Sequence, residues 1–402
     1  MIDISSLAGD WPGKKSDSTE HPAIWHMLDV ASCAEQMIRG HRAFVEYTEN
    51  QCRAFVVLAA LHDIGKISVS FRDLVRDGRQ GQYRHWKLSD LLLINVLDPI
   101  IEEEFGGNRH ARCELYAAVS GHHGGPERTN DRREIQRRRR CIGADAEQAA
   151  KDWLTLLLGL YPGGTLEGLD QPAARKISWA LSGLTVASDW VASNADWFPP
   201  ATTGIGLHDY HARSRAQARD AIARAGLDQA ATPTIRDART LTGLPDLHPM
   251  QQAVEKVSIP DGPVLALIED ATGSGKTESA LIMAHRLISS GRARGLFFAL
   301  PTMATADAMF GRMVNAVSRL FEGSAPSVSL SHGRAGLNTR FRELTGADDD
   351  ASPEAGCTRW LADDRRRSML AEVGVGTIDQ ALMGVLPTRF STLRLFGLTD
   401  RV

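Results

Sequence analysis

The sequence lacks paired cysteines, long apolar runs and a strong excess of charge of either sign. Its five cysteines are scattered and include no C-x-x-C pair, which disfavours a disulfide framework or a cysteine zinc site and favours a reducing, cytoplasmic location. No apolar run reaches the roughly 18 residues of a membrane span, so we expect no membrane partner. The net charge of −3 means that any affinity for nucleic acid must come from local basic patches.

The chain is long enough for more than one hydrophobic core, since 402 residues suffice for two domains of roughly 200 each. Apolar residues recur at helical spacing in the first part, whereas short apolar stretches alternate with helical ones in the second. We therefore predict an α + α/β protein, with an all-helical domain at residues 1–225, a linker at 226–245 and one parallel-sheet lobe at 246–402. The strands and helices predicted at the start of this lobe are Val264–Ile268, Thr277–Ser289, Gly295–Leu300 and Ala304–Leu320.

A histidine and an aspartate, His62 and Asp63, stand side by side at the end of an apolar helical stretch. Gly65 follows, at a place where a helix can end. An imidazole next to a carboxylate offers the mixed nitrogen and oxygen ligation that first-row transition metals accept. Taken alone, such a pair is more often a hydrogen-bonded helix end, so the metal interpretation depends on companions elsewhere in the chain.

Three further features favour a metal site. His26 is a polar residue within an apolar helical pattern, and His122 and His123 are flanked by glycines, whose flexibility lets both rings turn to one centre. Asp189 is the only charged residue in Ile177–Ser193. Burying one carboxylate costs on the order of several kcal/mol unless it has a partner, so Asp189 requires a metal ion or an arginine that the sequence does not reveal.

The order of these residues resembles the HD superfamily of metal-dependent phosphohydrolases. The local sequences LHDIGK, SGHHG and ASDW resemble, more specifically, the nuclease domain of the CRISPR-associated nuclease-helicase of type I systems. In that family a further histidine completes a second metal site, and His85 is the best match here, with His110 as the rival. The resemblance implies that residues 1–225 form an HD-type metal-dependent nuclease domain.

The resemblance also implies a division of the ligands between two divalent ions, with Asp63 bridging them. Histidine-rich ligation favours Mn, Fe, Co or Ni, with Mg possible. Lys66, one turn beyond the pair, is expected to neutralise a phosphate oxygen, although a solvated lysine at a helix end is an equally good interpretation. One ion would bind His26, His62, Asp63 and Asp189, and the other Asp63, His85, His122 and His123.

A glycine-rich loop between a predicted strand and a predicted helix indicates nucleotide binding. Its core, G-S-G-K-T, spans Gly273 to Thr277, and glycines there let backbone amides turn toward phosphates at a helix N-terminus. We expect Lys276 to reach the β- and γ-phosphates of ATP and Thr277 to bind Mg²⁺. The loop resembles that of superfamily 2 helicases but has Asp270-Ala271 at its first two positions. The loop residues predicted to bind nucleotide are Thr272, Gly273, Ser274, Gly275, Lys276 and Thr277.

Three companion segments resemble motifs of the same helicases. His248–Gln251 looks like a Q motif, in which Gln251 would read the adenine edge, while Ala299–Ala306 and Val375–Leu382 look like motifs Ia and Ib. The resemblance implies that 246–402 is the first RecA-like lobe. No D-E-x-H sequence follows motif Ib before Val402, so we expect ATP turnover by this chain alone to be poor.

These observations favour a metal-dependent nuclease that degrades single-stranded DNA, with an attached ATP-binding lobe. The resemblance implies recruitment by an RNA-guided, Cascade-like surveillance complex to the strand displaced in an R-loop, in antiviral defence. The arginines at 132–133 and 137–140 are either a solvated helix face or a contact to DNA phosphates. Two alternatives stay open: an HD phosphohydrolase acting on nucleotides, and a non-catalytic remnant that binds DNA or the surveillance complex.

Overall fold

The chain forms two compact units in a computed structural model. Unit 1 consists of Met1–Arg224 together with Gly384–Phe396, and unit 2 of Ala225–Met383 together with Gly397–Val402. Part of the predicted linker, residues 228–235, lies outside the described residues. The structure describes residues 2–16, 19–125, 129–201, 204–227, 236–321, 326–346 and 358–402.

Unit 1 is built mainly from helices. Many of them begin at a side chain that accepts a hydrogen bond from a first-turn amide, as Thr48 does for α3, where it forms a capping box with Gln51. Tight turns at Leu61–Lys66 and Gly121–His123 directly follow α3 and α7. The helices are α1 Ile4–Asp10, α2 Ala23–Ile38, α3 Glu49–Ala60, α4 Val69–Asp77, α5 His85–Leu92, α6 Asp98–Phe105, α7 Arg109–Ser120, α8 Arg132–Ile142, α9 Ala144–Leu160, α10 Gln171–Ala192 and α11 Leu207–Ala225.

An antiparallel hairpin in unit 1 corrects the prediction that this domain is all helical. β1, Pro12–Ser16, pairs with β2, Thr19–Pro22. Neither strand has the alternating β-branched residues by which a strand is recognised in a sequence. Tertiary packing stabilises the hairpin instead, since β1 packs against α2 and α4. Gly13 lies close to the start of α2, where a Cβ atom would come within 2.9 Å of Ala23 Cα.

Helix α10 is the central element of unit 1. Every residue from 181 to 188 is buried, and the helix packs against α2, α3 and α7. Residues with small side chains at several of these positions let neighbouring helices approach closely. The last turn of α10 carries Asp189, so the chain places a carboxylate at the end of a largely buried helix.

Unit 2 is an α/β structure around a parallel sheet, which confirms the predicted fold class. The strand order is β3–β5–β4, with Leu296 and Val328 both in register with Val373 of the central strand. Helix α15 packs on all three strands. The elements are α12 Ala238–Thr242, α13 Pro249–Lys256, α14 Lys276–Ser289, β3 Leu296–Leu300, α15 Met303–Leu320, β4 Val328–Ser331, α16 Thr339–Gly346, α17 Arg359–Ala362, β5 Val373–Thr377 and α18 Ile378–Leu382. Helix α19, Ser391–Thr399, begins in unit 1 and ends in unit 2.

The predicted strand Val264–Ile268 is wrong. This segment has no regular secondary structure, and Leu265 and Leu267 are 98% and 83% exposed. A strand requires a neighbouring backbone for its amides and carbonyls, and the outer edge of β3 is met by another segment. There Phe297 donates its amide to the carbonyl of Val402, at 2.8 Å.

The segment 384–396, here called the return segment, belongs to unit 1 although it follows the motifs of unit 2 in the sequence. The division predicted from the sequence placed it in the lobe at 246–402. In the structure Phe396 stacks on His41 with ring centroids 4.0 Å apart. Gly183 of α10 has no room for a Cβ atom, because the carbonyl of Thr392 lies 2.6 Å from that position.

Within the part of the chain that the structure describes, no single helix has the length and apolar character of a membrane span. The bent pair Glu49–Lys66 and Val69–Asp77 passes the same test by length and composition only.

Candidate metal centre and nucleotide-binding loop

The predicted metal ligands come from five separate parts of unit 1. His26 lies on α2, His62 and Asp63 lie on the turn after α3, and His85 begins α5. Asp63 has φ −106° and ψ 19°, which departs from a helix and turns its carboxylate out of the α3 direction. His122 and His123 occupy the turn after α7, and Asp189 the last turn of α10.

Gly65 brings α5 close to this turn. Its amide donates to Ser89 Oγ at 2.9 Å, and a Cβ atom at this position would collide with the carbonyl of His85. The sequence indicated Gly65 as the end of a helix. The structure adds a second reason for glycine, which is that His85 reaches Asp63 only where the two backbones nearly touch.

The side chains form two sets of potential metal ligands, which share Asp63. Within each set the ligand atoms lie within 4.8 Å of one another. The sets are His26, His62, Asp63 and Asp189, and Asp63, His85, His122 and His123.

The two oxygens of Asp63 face different sets. Oδ2 lies 3.6 Å from His26 Nε2 and 3.4 Å from His62 Nε2. Oδ1 lies 3.1 Å from His85 Nε2 and 3.4 Å from His122 Nε2. Asp63 would therefore be a ligand in both sets if each held a divalent ion.

Hydrogen bonds to the backbone orient two of the imidazoles. His62 Nδ1 lies 3.0 Å from the carbonyl of Ala59, and His122 Nδ1 lies 2.9 Å from that of Val119. With Nδ1–H donated to a carbonyl, Nε2 keeps its lone pair and points at the cluster, as in protein metal sites.

Several buried polar atoms of the cluster have no hydrogen bond of acceptable geometry. They include both ring nitrogens of His26, Nε2 of His62 and His122, and Oδ1 of Asp63. Leaving such atoms unsatisfied costs on the order of 1–3 kcal/mol each. Because all but His26 Nδ1 belong to the ligand sets, the residues fit divalent ions that would accept their lone pairs.

The electrostatics of the cluster favour positive charge between the carboxylates. Burial alone would raise the pKa of Asp63, but the Lys66 ammonium and the His62 imidazole hold that pKa well below its usual value. Burial would lower the pKa of His62, yet Asp63 and Asp189 raise it to about 10. The two carboxylates thus favour a positive charge at this position, which a divalent ion would supply.

Two other histidines are held neutral. Burial, together with the nearby Lys66, lowers the pKa of His26 to about 3. Burial and the neighbouring His122 lower the pKa of His123 to about 3. Neutral imidazoles at neutral pH are the form that binds metal ions.

The structure also shows where Lys66 and the two candidate histidines, His85 and His110, lie. Lys66 Nζ lies 2.7 Å from Asp63 Oδ2, with 13% of its side chain exposed, so it is not a solvated helix-end lysine. His85 belongs to the second set, whereas His110 is exposed near the start of α7 and belongs to neither set.

Two polar neighbours of the cluster were missed from the sequence. Ser193 Oγ donates to Asp189 Oδ1 at 3.1 Å, and Lys14 Nζ lies 3.5 Å from the Ser193 carbonyl. The spacing of four between Asp189 and Ser193 was a visible signal, because residues four apart lie on one helix face. Nothing in the sequence pointed to Lys14, which the hairpin brings to this position.

The predicted nucleotide-binding residues form one loop in unit 2. Gly273 and Gly275 have φ of 83° and 85°, which favours glycine, and α14 begins at Lys276. Lys276 Nζ donates to the carbonyls of Asp270 and Ala271 at 2.8 and 2.7 Å. The remaining predicted loop residues are Thr272, which is exposed, and Ser274 and Thr277, which are half-buried.

The segments that resemble helicase motifs lie beside this loop or at one sheet edge. Gln251 is fully buried and donates to the carbonyl of Gly275 at 3.4 Å. Leu300, where β3 ends, is in register with Thr377, where β5 ends, so the segments resembling motifs Ia and Ib follow adjacent strands.

The chain is similar to known proteins over most of its length. The family model of the Cas3 HD domain matches residues 11–198. The CRISPR-associated endonuclease/helicase Cas3 of Thermus thermophilus is 31% identical over 96% of this chain and 45% of its own length. The Cas3 of Escherichia coli K12 is 29% identical over 94% of this chain and 47% of its own length.

Solved structures agree as well. The crystal structure of T. fusca Cas3 with ADP matches with a TM-score of 0.81 and 25% identity, over 100% of this chain and 46% of that one. The chain thus spans about half the length of the relatives it matches. On these matches the chain belongs to the CRISPR-associated Cas3 family, with the HD domain in the helical unit and a RecA-like lobe after it.

Proposed function

We propose that the chain is a metal-dependent nuclease that cleaves single-stranded DNA in CRISPR antiviral defence. The observation that carries the proposal is the pair of ligand sets that share the Asp63 carboxylate. Both relatives described above are named endonuclease/helicases.

Two divalent ions held in this way would act as Lewis acids and lower the pKa of a bound water, which is the chemistry that phosphodiester hydrolysis requires. Mn, Fe, Co and Ni suit these ligands, and Mg is possible. The protein's own groups hold the geometry. Asp63 fixes the two sets relative to each other, and the orienting carbonyls keep His62 and His122 aimed inward.

Lys66 is the residue we assign to the phosphate. Its ammonium already lies at the cluster, bonded to Asp63. With substrate bound, Lys66 would turn to a phosphate oxygen and stabilise its negative charge.

Helix α8 is the surface we assign to the DNA backbone. Arg133, Arg137 and Arg140 are exposed and spaced for one helix face, while Arg138 is buried on the other side, 5.6 Å from the ring of Tyr83. The helix packs on α5, which begins with His85. A row of exposed arginines on a helix that packs against α5 suits a polyanion.

For unit 2 we propose ATP binding with Mg²⁺. Gln251 would read the adenine, Lys276 and the backbone amides of Thr272, Gly273, Ser274 and Gly275 would hold the phosphates, and Thr277 would bind the ion. We extend the proposal to helicase action and to recruitment by a Cascade-like, RNA-guided surveillance complex at an R-loop. The chain spans about half the length of the relatives it matches.

The test is cleavage of circular single-stranded DNA without ATP, across Mg, Mn, Co and Ni, by the parent and Asp63→Ala. We expect metal-dependent cutting that falls by at least about 100-fold in the variant, because both ion sites lose a ligand. Cutting that persists in Asp63→Ala would contradict the shared-carboxylate site. A folded parent that cuts no DNA but hydrolyses nucleotides would point to the phosphohydrolase alternative.

A further inference from the structure

The return segment 384–396 reaches the metal centre from an unexpected part of the sequence. Arg389 Nε donates to the carbonyl of His123 at 3.0 Å, so an arginine that follows the helicase-like motifs is bonded to a residue of the second ligand set. Nothing in the HD motifs themselves points to this residue, since 266 positions separate the two partners.

The backbone around His123 is shaped for this arginine. Gly124 has φ 125°, a conformation that favours glycine. A Cβ atom there would lie 2.8 Å from Arg389 Cγ, so the aliphatic part of the side chain packs over the glycine. Gly124 therefore leaves room for Arg389, in addition to giving the two histidines freedom to turn.

The next residue anchors the segment. Phe390 has φ 61°, which is uncommon for a residue other than glycine and persists only where the surroundings fix it. Its ring contacts Trp190 with centroids 5.3 Å apart, and Trp190 follows the predicted ligand Asp189 in α10. The guanidinium of Arg389 lies 4.9 Å from the Phe390 ring. These contacts hold the arginine in one place.

Only one nitrogen of the guanidinium is used by the bond to His123. Arginine has two further nitrogens in the same plane, in the arrangement that binds phosphate oxygens in pairs, and Arg389 is an exposed residue. Lys66, the cation assigned to the phosphate, contacts Asp63 instead and is mostly buried. Arg389 is therefore an outer cation of the same site.

We propose that Arg389 binds a backbone phosphate of the single-stranded DNA substrate beside the second ligand set. The proposal rests on the nuclease function above and adds a substrate-binding residue that lies outside the HD domain match at 11–198. The return segment follows most of unit 2 in the sequence but belongs to unit 1. The proposed substrate site therefore combines the HD domain with a residue that follows the helicase-like motifs.

The test measures DNA binding and metal binding separately on the full chain. Binding of a fluorescein-labelled oligothymidylate in EDTA reports Kd without cleavage, at several salt concentrations. For Arg389→Ala we expect Kd to rise about tenfold, as for the loss of one charged contact, and the slope of log Kd against log salt to fall by about 0.7. Arg389→Lys should keep the slope and recover part of the affinity. Arg219→Ala, an exposed arginine on α11, is the matched control and should bind as the parent does.

Calorimetric titration with Mn²⁺ should give the same affinities for Arg389→Ala and the parent. In cleavage assays the variant should show a raised KM with kcat within about threefold. Weakened metal binding would overturn the proposal, because Arg389 would then hold His123 in place. If the parent binds and cuts DNA, unchanged DNA affinity in Arg389→Ala would also overturn the proposal. The proposed nuclease function would then still hold. A parent that neither binds nor cuts would refute the nuclease function itself, and the proposal with it.

Discussion

The two oxygens of the Asp63 carboxylate face two groups of histidines, so single substitutions around it should separate the two ion sites. His85 lies 3.1 Å from Oδ1 and belongs only to the second set, whereas His110 is exposed. Both histidines come at a place in the chain that the family pattern allows. Their positions in the structure predict opposite effects of substitution, which are loss of a metal ion for His85 and no loss for His110.

His85→Ala should remove one ligand of the second ion and leave the first set intact. We expect one of two bound metal ions to be lost, and cleavage to fall on the order of 100-fold. Metal content by mass spectrometry of the native protein, with the rate on single-stranded DNA, checks this. His110→Ala is the control and should keep both ions and the parent rate. If His110→Ala lost an ion while His85→Ala did not, the assignment would be reversed.

At the scale of elements, helix α7 is held to α6 by a buried ion pair. Arg112 is fully buried and donates to Asp98 at 2.8 Å, and the hydroxyl of Tyr116 donates to the same carboxylate, also at 2.8 Å. Helix α7 ends where the turn with His122 and His123 begins. The ion pair between Arg112 and Asp98 therefore helps to fix the helix that carries this turn.

Asp98→Asn should destabilise the protein by about 3 kcal/mol, because it leaves the buried Arg112 guanidinium with only the largely exposed carboxylate of Glu102. Burial alone would raise the pKa of Asp98, but the hydrogen bonds from Arg112 and Tyr116 hold that pKa below its ordinary value of 3.8. A depressed folded-state pKa contributes stability above 3.8 that is lost as the pH falls through the lower folded value. Urea unfolding should therefore show a gap between parent and variant at pH 7 that narrows below about pH 4. A gap independent of pH would contradict the ionic account.

Helix α8 makes a second prediction at this scale, on salt dependence. Replacing Arg133, Arg137 and Arg140 with Gln should weaken binding of single-stranded DNA and reduce the slope of log Kd against log salt by about 2, at about 0.7 for each lost contact. Fluorescence anisotropy in EDTA measures both quantities. The matched control is the same loss of charge on α11, at Arg215, Arg219 and Arg224. Equal effects of the two triples would mean that net charge, and not the α8 face, attracts the DNA.

At the scale of the whole molecule, the two units carry separate predicted sites. The phosphate loop belongs to unit 2, and Lys276 contacts carbonyls of its own loop. The metal cluster belongs to unit 1.

Lys276→Ala should abolish binding of a fluorescent ATP analogue, because the cation that we assign to the phosphates is removed. Cleavage of single-stranded DNA without ATP should stay within about twofold of the parent. Measuring both on one preparation decides the matter. A large loss of ATP-independent cleavage, in a variant that melts at the parent temperature, would show that the phosphate loop and the metal centre are energetically coupled.

The sequence by itself determined the features whose signal is local. The adjacent His62 and Asp63, the glycine-flanked His122 and His123, and the lone charge of Asp189 are each visible in a short window. Their combination, and not any one of them alone, indicated a metal site. The glycines of the phosphate loop are visible for a similar reason, since a backbone that turns around phosphates needs positive φ. The parallel sheet was readable from alternating strand and helix patterns.

Only the tertiary structure decided the features that depend on distant partners. The sequence left both His85 and His110 open as ligands, and the close approach of Gly65 to α5 brings His85, not His110, to Asp63. Val264–Ile268 has the composition of a strand but no paired neighbour, because strand formation depends on another backbone. The return segment carries no motif, yet Arg389 reaches His123 across 266 positions. Local patterns fix what a residue can bind, whereas long-range packing fixes which residues meet.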